Sequence, residues 1–277
     1  MTRDAFRRGL SAVFVAACTG AVIVALIPLA LILFYVVKEG VGALNLAFFT
    51  QMPKPVGEAG GGMANAIVGT LILIGLAALF AVPIGCICGI HLSEYPDSRF
   101  SSIVRFAADV LAGAPSIVVG VAVFGLLVVP MGRFSALAGG VALAVLMLPT
   151  VVRATEEVVR LVPASYRQAA LALGAPSWIA TLRVVLPAAR AGVTTAALLA
   201  VARASGETAP LLFTALGNRF WSVHLDQPIA TLPVMIYDYA RAPYSDWNSQ
   251  AWTGALTLLV LVTVLSALMR LATRNIR

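Results

Sequence analysis

The sequence predicts an all-α integral membrane protein with six transmembrane helices. Hydrophobic residues make up 60% of the 277 positions and charged residues only 11%, which is too few to cover the surface of a soluble domain of this size. Several apolar runs reach the roughly 20 residues that a helix needs to cross a bilayer core. Barrel strands would be about half that length and would alternate in polarity. We therefore expect one transmembrane domain over residues 1–277.

The membrane segments follow from the apolar runs and the polar breaks between them. The first run is too long, and too poorly matched to a small-residue cleavage site, to be a removable signal peptide. The longest break covers residues 153–189. The predicted segments are 11–37, 64–91, 108–130, 136–152, 190–216 and 251–271.

Lysines and arginines in the flanks predict the orientation. With the N-terminus in the cytoplasm, thirteen of the nineteen basic residues lie on the inner side, five lie outside and Arg203 lies within a segment. This excess follows the positive-inside rule. Both termini and residues 153–189 are therefore predicted to be cytoplasmic. The scattered arginines also argue against a nucleic-acid partner, despite the net charge of +7, because they form no single basic patch with stacking aromatics.

Cysteine and histidine patterns predict no metal site. Cys18, Cys86 and Cys88 lie in apolar runs, and a single residue between the last two is wrong for a thioredoxin-like motif. His91 and His224 are far apart in sequence. We interpret the cysteines as packing residues.

Residues 166–187 contain a short helix pattern on the predicted cytoplasmic side. Ser165 and Gln168 have the spacing of a capping box, alanines and leucines follow as strong helix formers, and Gly174 supplies a stop. Two turns of helix are marginal in water, so the segment needs a packing surface. From these residues alone, an interfacial connector and a docking element are equally good interpretations.

Two stretches are predicted outside the membrane. Residues 52–63 are rich in Gly and Pro and indicate a flexible loop. Residues 217–250 contain Trp221 and Trp247, which suit a membrane interface, and residues 229–239 have the spacing of a short amphipathic helix at the outer surface. An ordered connector is at least as good an interpretation as a docking surface.

Arg203 lies near the middle of the fifth predicted segment. An arginine at that depth is costly unless it is paired or faces a polar cavity. Glu207 follows four residues later, on the same face of a continuous helix, and is the expected partner. Gly206 and Pro210 permit a bend beside the pair. The sequence leaves two interpretations of Arg203 and Glu207: a structural ion pair, or a charged lining of a transport path.

A second charged group follows Pro149 at the end of the fourth segment. Arg153 and Glu156 are three residues apart and can pair on a helix, and Glu157 is adjacent. Arginine at an inner boundary is also expected from topology alone.

The segment QAALALG, followed by nine residues and then VVLP, resembles the EAA loop of ABC importer permeases. This resemblance implies a type I ABC importer permease (MetI-like) fold, in which residues 153–189 carry a coupling helix that docks on a separate ATPase. The chain has no GxxxxGK[ST] phosphate loop, so ATP and Mg²⁺ are expected on that partner and no cofactor on this chain. Positions Ala169, Ala170, Gly174, Leu186 and Pro187 match, whereas Gln168 replaces the glutamate and Val184 the isoleucine.

Other segments are similar to the phosphate-specific branch of these permeases. They include PTVVRATEEVVRLVPASYRQAALALGA, ARASGETAPLLFTALG and shorter matches across most of residues 60–240. The resemblance implies that Arg153, Glu156, Arg203 and Glu207 belong to the transport path or its gate. Arginine presents a planar fork suited to phosphate oxygens, and nearby carboxylates would keep it from trapping the anion.

The resemblance also implies an assembly in a bacterial plasma membrane. We expect ATP-driven phosphate import by alternating access, with a second permease subunit, an ATPase dimer and an extracytoplasmic phosphate-binding protein. A sulfate or molybdate permease is the alternative within the class, and a channel or secondary carrier is less favoured. An intramembrane hydrolase is disfavoured because the chain has no GxSxG motif.

Overall fold

The computed structural model describes residues 3–56, 58 and 60–274, and every regular element in that part of the chain is a helix. Gly57 and Ala59 of the predicted outer loop, and Arg277 of the predicted cytoplasmic set, lie outside the described residues. The helices are α1 (Arg3–Gly40), α2 (Leu46–Thr50), α3 (Ala64–Glu94), α4 (Arg99–Gly113), α5 (Ser116–Met131), α6 (Ala136–Arg160), α7 (Ala164–Ala172), α8 (Ser177–Ala204), α9 (Ala209–Thr214), α10 (Leu232–Arg241) and α11 (Ser245–Arg274).

Five of these helices (α1, α3, α6, α8 and α11) are long and apolar enough to cross a membrane. A sixth span is reached when α4 and α5, which meet at a bend of 107°, are counted together. The prediction of one helix over 108–130 was therefore wrong. The break falls at Ala114, whose ψ of 134° is extended, because Pro115 disfavours helical backbone in the residue before it.

Two other predicted segments differ in extent. The fourth, predicted to end at residue 152, continues to Arg160, so the charged group after Pro149 lies on the same helix. The fifth, predicted as 190–216, is α8 and α9 with a non-helical break at residues 205–208. Gly206 lies in this break and Pro210 in the first turn of α9, where its missing N–H costs no helical hydrogen bond.

The core forms where α3 packs against α6, and small residues on α3 let the two helices approach. An added Cβ on Gly85 would lie 2.7 Å from the Cβ of Val151, and one on Gly89 would lie 2.6 Å from the Cβ of Thr155. Such close approach gains dispersion contacts that lipid cannot match. Helix α8 joins this core through residues such as Ala200 and Ala204.

The amphipathic helix predicted over 229–239 is present as α10, shifted towards the C-terminus. Its apolar face is buried in the protein, where Leu232 and Met235 pack with Phe48 and Met63. The Leu232 N–H at the start of α10 donates to the Thr70 hydroxyl on α3 at 2.8 Å. The helix is therefore part of the folded core rather than a loosely attached surface segment.

Candidate transport path and coupling surface

A cavity of about 130 Å³ lies where the α4–α5 bend meets α6 and the end of α8. This is roughly ten times the ~10–15 Å³ needed to hold one water. Its charged lining is Arg203 and Glu207, and its walls are small or apolar residues, among them Leu111, Ala114, Leu146 and Pro149. The bend that the sequence did not predict is thus one wall of the cavity.

Arg203 and Glu207 both line the cavity, but the predicted pair between them was wrong. Helix α8 ends at Ala204, so the four-residue spacing no longer places the two side chains on one helix face. The described residues contain no ion pair between them. Arg203 does line a cavity inside the protein, in keeping with the expectation that an arginine at that depth faces away from lipid. Its guanidinium is left available on the cavity wall.

Glu156 lies at the centre of an arginine cluster at the end of α6. Its side chain is 2% exposed. Oε1 accepts a hydrogen bond from Arg105 Nε at 2.8 Å and forms an ion pair with Arg160 Nη2, also at 2.8 Å. Arg153 Nη1 lies 3.3 Å from Oε2, which confirms the predicted pairing three residues apart. Glu157, in contrast, is exposed. A buried carboxylate is tolerated only when its charge is compensated in this way.

Arg153 makes its shorter contacts with Asp109 on α4. Its Nη2 lies 2.6 Å from both carboxylate oxygens of Asp109, and its Nε donates to Oδ1 at 3.1 Å. Arg153 therefore joins α6 to α4 beside the bend.

Sequence reasoning missed three members of this cluster. Arg105 and Arg160 were counted only as topology signals, and Asp109 was included in a predicted membrane segment. An acidic residue inside an apolar segment was the signal that pointed to Asp109, since such residues are rare there and carry function or pair with a base. No sequence pattern showed that Arg105 would reach Glu156, fifty-one positions away.

The predicted helix after residue 163 is present as α7, but its predicted cap was wrong. Pro163 is the N-cap, Ser165 lies inside the helix, and no side chain caps the first turn. The predicted stop at Gly174 is confirmed: this residue has a φ of 81°, a left-handed conformation that glycine adopts at least cost.

Helix α7 and the residues on either side of it present an apolar surface with no partner among the described residues. Leu173 is 89% exposed, and Leu161, Tyr166, Leu171 and Trp178 are also exposed. Of the residues expected to contact an ATPase, Gln168, Ala169, Gly174 and Pro187 are exposed and Ala170 is buried. We refer to these exposed positions together as the coupling surface.

The coupling surface is tied to the membrane core by one ion pair. Arg167 Nη2 on α7 lies 2.6 Å from Oε1 of Glu94 at the end of α3. Both side chains are partly buried, so the contact is shielded from water more than a surface pair would be. Movement of α7 is thereby linked to the long helix α3, whose other end reaches α10.

A second cavity, of about 270 Å³, lies beside α10 at the opposite end of α3. Tyr239 stacks on Trp247 with ring centroids 4.4 Å apart, and the Arg219 guanidinium lies 5.6 Å from the Trp247 ring. Burial raises the pKa of the Tyr239 phenol, an effect that Arg219 partly opposes. Loss of hydration likewise raises the pKa of the Asp238 carboxyl at the cavity rim.

Among the described residues, no group of three or more His, Cys, Asp or Glu side chains is arranged to hold a metal ion. His91 instead packs against the rings of Tyr95 and Phe100.

Comparison with known proteins identifies the class. A family described as "Binding-protein-dependent transport system inner membrane component" matches residues 81–277. The chain belongs to this family, the membrane-spanning permeases of ABC importers. A chain of the MetNI methionine ABC transporter in an inward-facing conformation has the same fold, with a TM-score of 0.59 and 20% identity over 77% of this chain and 95% of that one.

Curated relatives are more similar in sequence. The phosphate transport system permease protein PstA of Yersinia pestis is 44% identical, over 97% of this chain and 91% of its own length. The protein of the same name from Haemophilus influenzae is 45% identical, over 90% of this chain and 89% of its own. These relatives span nearly the whole chain, including the cavity, the Glu156 cluster and the coupling surface.

Proposed function

We propose that this chain is the subunit through which an ATP-driven importer passes inorganic phosphate into the cytoplasm. The observation that carries the proposal is the Arg203 guanidinium on the wall of a cavity between the broken span and the core, with no ion-pair partner among the described residues. The names of the relatives from Y. pestis and H. influenzae support phosphate as the cargo.

The arrangement suits a multiply charged oxyanion. Phosphate carries between one and two negative charges at neutral pH, and a path of low dielectric constant must compensate them. Arg203 supplies a positive charge and a planar set of hydrogen-bond donors in the cavity. Arg153, on α6, supplies a second guanidinium outside the cavity. Pro149 lines the cavity and Arg153 follows four residues later, about 6 Å along the helix axis. The two arginines form successive anion contacts.

The carboxylates divide into two roles in this proposal. Glu156 neutralises the Arg105–Arg160 end of the cluster and holds it in place. Glu207 lies on the cavity wall and forms no ion pair among the described residues. Its negative charge repels an anion bound at Arg203, which keeps that anion from binding permanently. Together they let the arginines attract phosphate without binding it too tightly for transport.

The coupling surface on α7 and the following turn supports a docked ATPase dimer. Exposed leucines and a tryptophan are costly in water and are typical of a protein interface. We place this surface, and both termini, in the cytoplasm on the basis of the arginine distribution. ATP and Mg²⁺ then bind on the ATPase, whose movement reaches α3 through the Arg167–Glu94 pair. A second permease subunit and an extracytoplasmic phosphate-binding protein complete the assembly.

The test is uptake of radiolabelled phosphate by the complete transporter, reconstituted in proteoliposomes with and without ATP. We expect wild-type uptake to require ATP and to be unaffected by sulfate or molybdate. Arg203→Gln lowers uptake by about ten- to hundredfold, since a charge-assisted hydrogen bond contributes ~1.5–3 kcal/mol. Arg190→Gln, an exposed arginine on the same helix, is the control and retains uptake. Full uptake by Arg203→Gln would show that Arg203 is not part of the transport path. Preferential uptake of another oxyanion would show that phosphate is not the substrate.

A further inference from the structure

Arg153 is occupied by an internal anion in this structure. The two oxygens of Asp109 lie 2.6 Å from Arg153 Nη2, and Oδ1 also accepts from Nε at 3.1 Å. This is the side of the guanidinium that binds carboxylates and phosphates through two donors at once. A phosphate oxygen at Arg153 would need the position that Asp109 now holds.

The two carboxylates that contact Arg153 differ in how easily they are displaced. Glu156 is almost fully buried and lies at the longer distance of 3.3 Å. Asp109 is 59% exposed, so its carboxylate is readily hydrated when it leaves the arginine. Pairs of this exposure are held by about 1 kcal/mol or less. Asp109 is therefore the exchangeable partner and Glu156 the permanent one.

The Arg153–Asp109 pair lies next to the Arg203 cavity. Leu111 and Ala112, which line the cavity, lie two and three residues after Asp109 on α4, and Pro149 lines it one turn before Arg153 on α6. An anion that leaves Arg203 along α6 meets this pair next. With residues 153–189 in the cytoplasm, the pair is on the inner side of the cavity.

We propose that the Asp109 carboxylate competes with phosphate for Arg153 and displaces the phosphate from it. Asp109 thereby sets how fast the anion is released to the cytoplasm. This inference rests on the proposed function. When phosphate reaches Arg153, Asp109 swings into water; when Asp109 returns, it restores the bidentate pair and the phosphate leaves. Without such a competitor, the charge of Arg153 would retain the anion and slow each cycle.

The first test is equilibrium binding of radiolabelled inorganic phosphate to the nucleotide-free complete transporter in detergent. Asp109→Asn keeps the shape but removes the competing charge, so the Kd for phosphate falls by up to about fivefold. Asp109→Glu restores a competing carboxylate and brings the Kd back towards the wild-type value. In the double variant Asp109→Asn/Arg153→Gln, the gain in phosphate affinity is abolished. The control is Asp226→Asn, which breaks an Arg–Asp pair of similar exposure far from the cavity.

The second test is transport by the same variants in proteoliposomes. Slower release lowers kcat and KM of Asp109→Asn together and leaves kcat/KM at the wild-type value, because steps up to phosphate entry are unchanged. An Asp109→Asn transporter that binds phosphate no more tightly than wild type, or that loses kcat/KM, would overturn the inference. Failure of the proposed function is a separate result: the wild-type transporter itself would show no ATP-dependent phosphate uptake.

Discussion

Removing the charge of Glu156 is the most informative perturbation of the fold near the Arg203 cavity. Glu156→Gln keeps the size of the side chain but leaves Arg105, Arg153 and Arg160 without their shared anion. Because Glu156 joins α6 to α4 through Arg105, the substitution loosens the broken span as well as the end of α6.

The magnitude follows from the geometry of the cluster. Glu156 accepts two charge-assisted hydrogen bonds, from Arg105 at 2.8 Å and from Arg153 at 3.3 Å, and such bonds contribute ~1.5–3 kcal/mol each. The ion pair with the half-exposed Arg160 adds about 1 kcal/mol or less. Arg105 and Arg160 are 22% and 47% exposed, so both regain hydration when the charge is lost, and glutamine retains one acceptor oxygen. We therefore expect a loss of about 2–3 kcal/mol in the free energy of unfolding, or roughly 4–10 °C in Tm for a chain of this size.

The assay is thermal unfolding of the purified transporter in detergent, followed by tryptophan fluorescence. Glu157→Gln is the matched control, since it removes the same charge at the next position, where the side chain is exposed and forms no ion pair among the described residues. Its Tm should stay within about 1 °C of wild type. A Tm for Glu156→Gln equally close to wild type, or an equal loss in both variants, would refute the role assigned to the cluster.

Two further predictions concern α3 and α10. Gly89→Ala places a Cβ 2.6 Å from the Val152 carbonyl oxygen and should destabilise the protein by about 1–3 kcal/mol. The control is Gly75→Ala on the same helix, where the added Cβ meets open space and the change should be neutral or slightly stabilising. Equal Tm values for the two variants would contradict the packing of α3 on α6. Burial raises the pKa of Tyr239, so the folded state holds the phenol proton more tightly than the unfolded state does. The stability that this preference contributes to the fold is fully present below the usual tyrosine pKa of about 10. It is lost as pH rises from there through the higher pKa of the folded state. Tyr239→Phe should therefore show a smaller fall in Tm than wild type in that alkaline range, and parallel pH profiles would show that Tyr239 is not titrating in a buried site.

Much of the architecture was predictable because it depends on local composition. The apolar runs predicted the long helices, and Gly174 predicted the end of α7 through its left-handed backbone. Pro115 disfavours helical backbone at Ala114, but hydropathy continues across this position and does not reveal the α4–α5 break. The predicted Ser165 cap was wrong because the helix begins two residues earlier than expected, directly after Pro163, which places Ser165 inside the first turn.

The candidate site was predictable in some of its residues and not in its pairings. Arg203 was notable as a charge within an apolar segment, whereas the expected roles of Arg153, Glu156 and Glu207 came from the resemblance to the phosphate-specific permeases. The expected Arg203–Glu207 contact required a continuous helix, and the break after Ala204 removed it. Asp109 reaches Arg153 from forty-four positions away, a separation at which no periodicity carries information.

The sequence by itself determined that this chain crosses a membrane, which of its sides carries the excess arginine, and where the short helix of the coupling surface ends. These properties follow from hydropathy, charge and backbone preference, all of which act over a few residues. Only the tertiary structure decided that α4 and α5 fold into a bent pair against α6, which forms the Arg203 cavity and brings Asp109 to Arg153. Electrostatic pairing depends on distance in space, and that distance was set by packing of helices far apart in the chain.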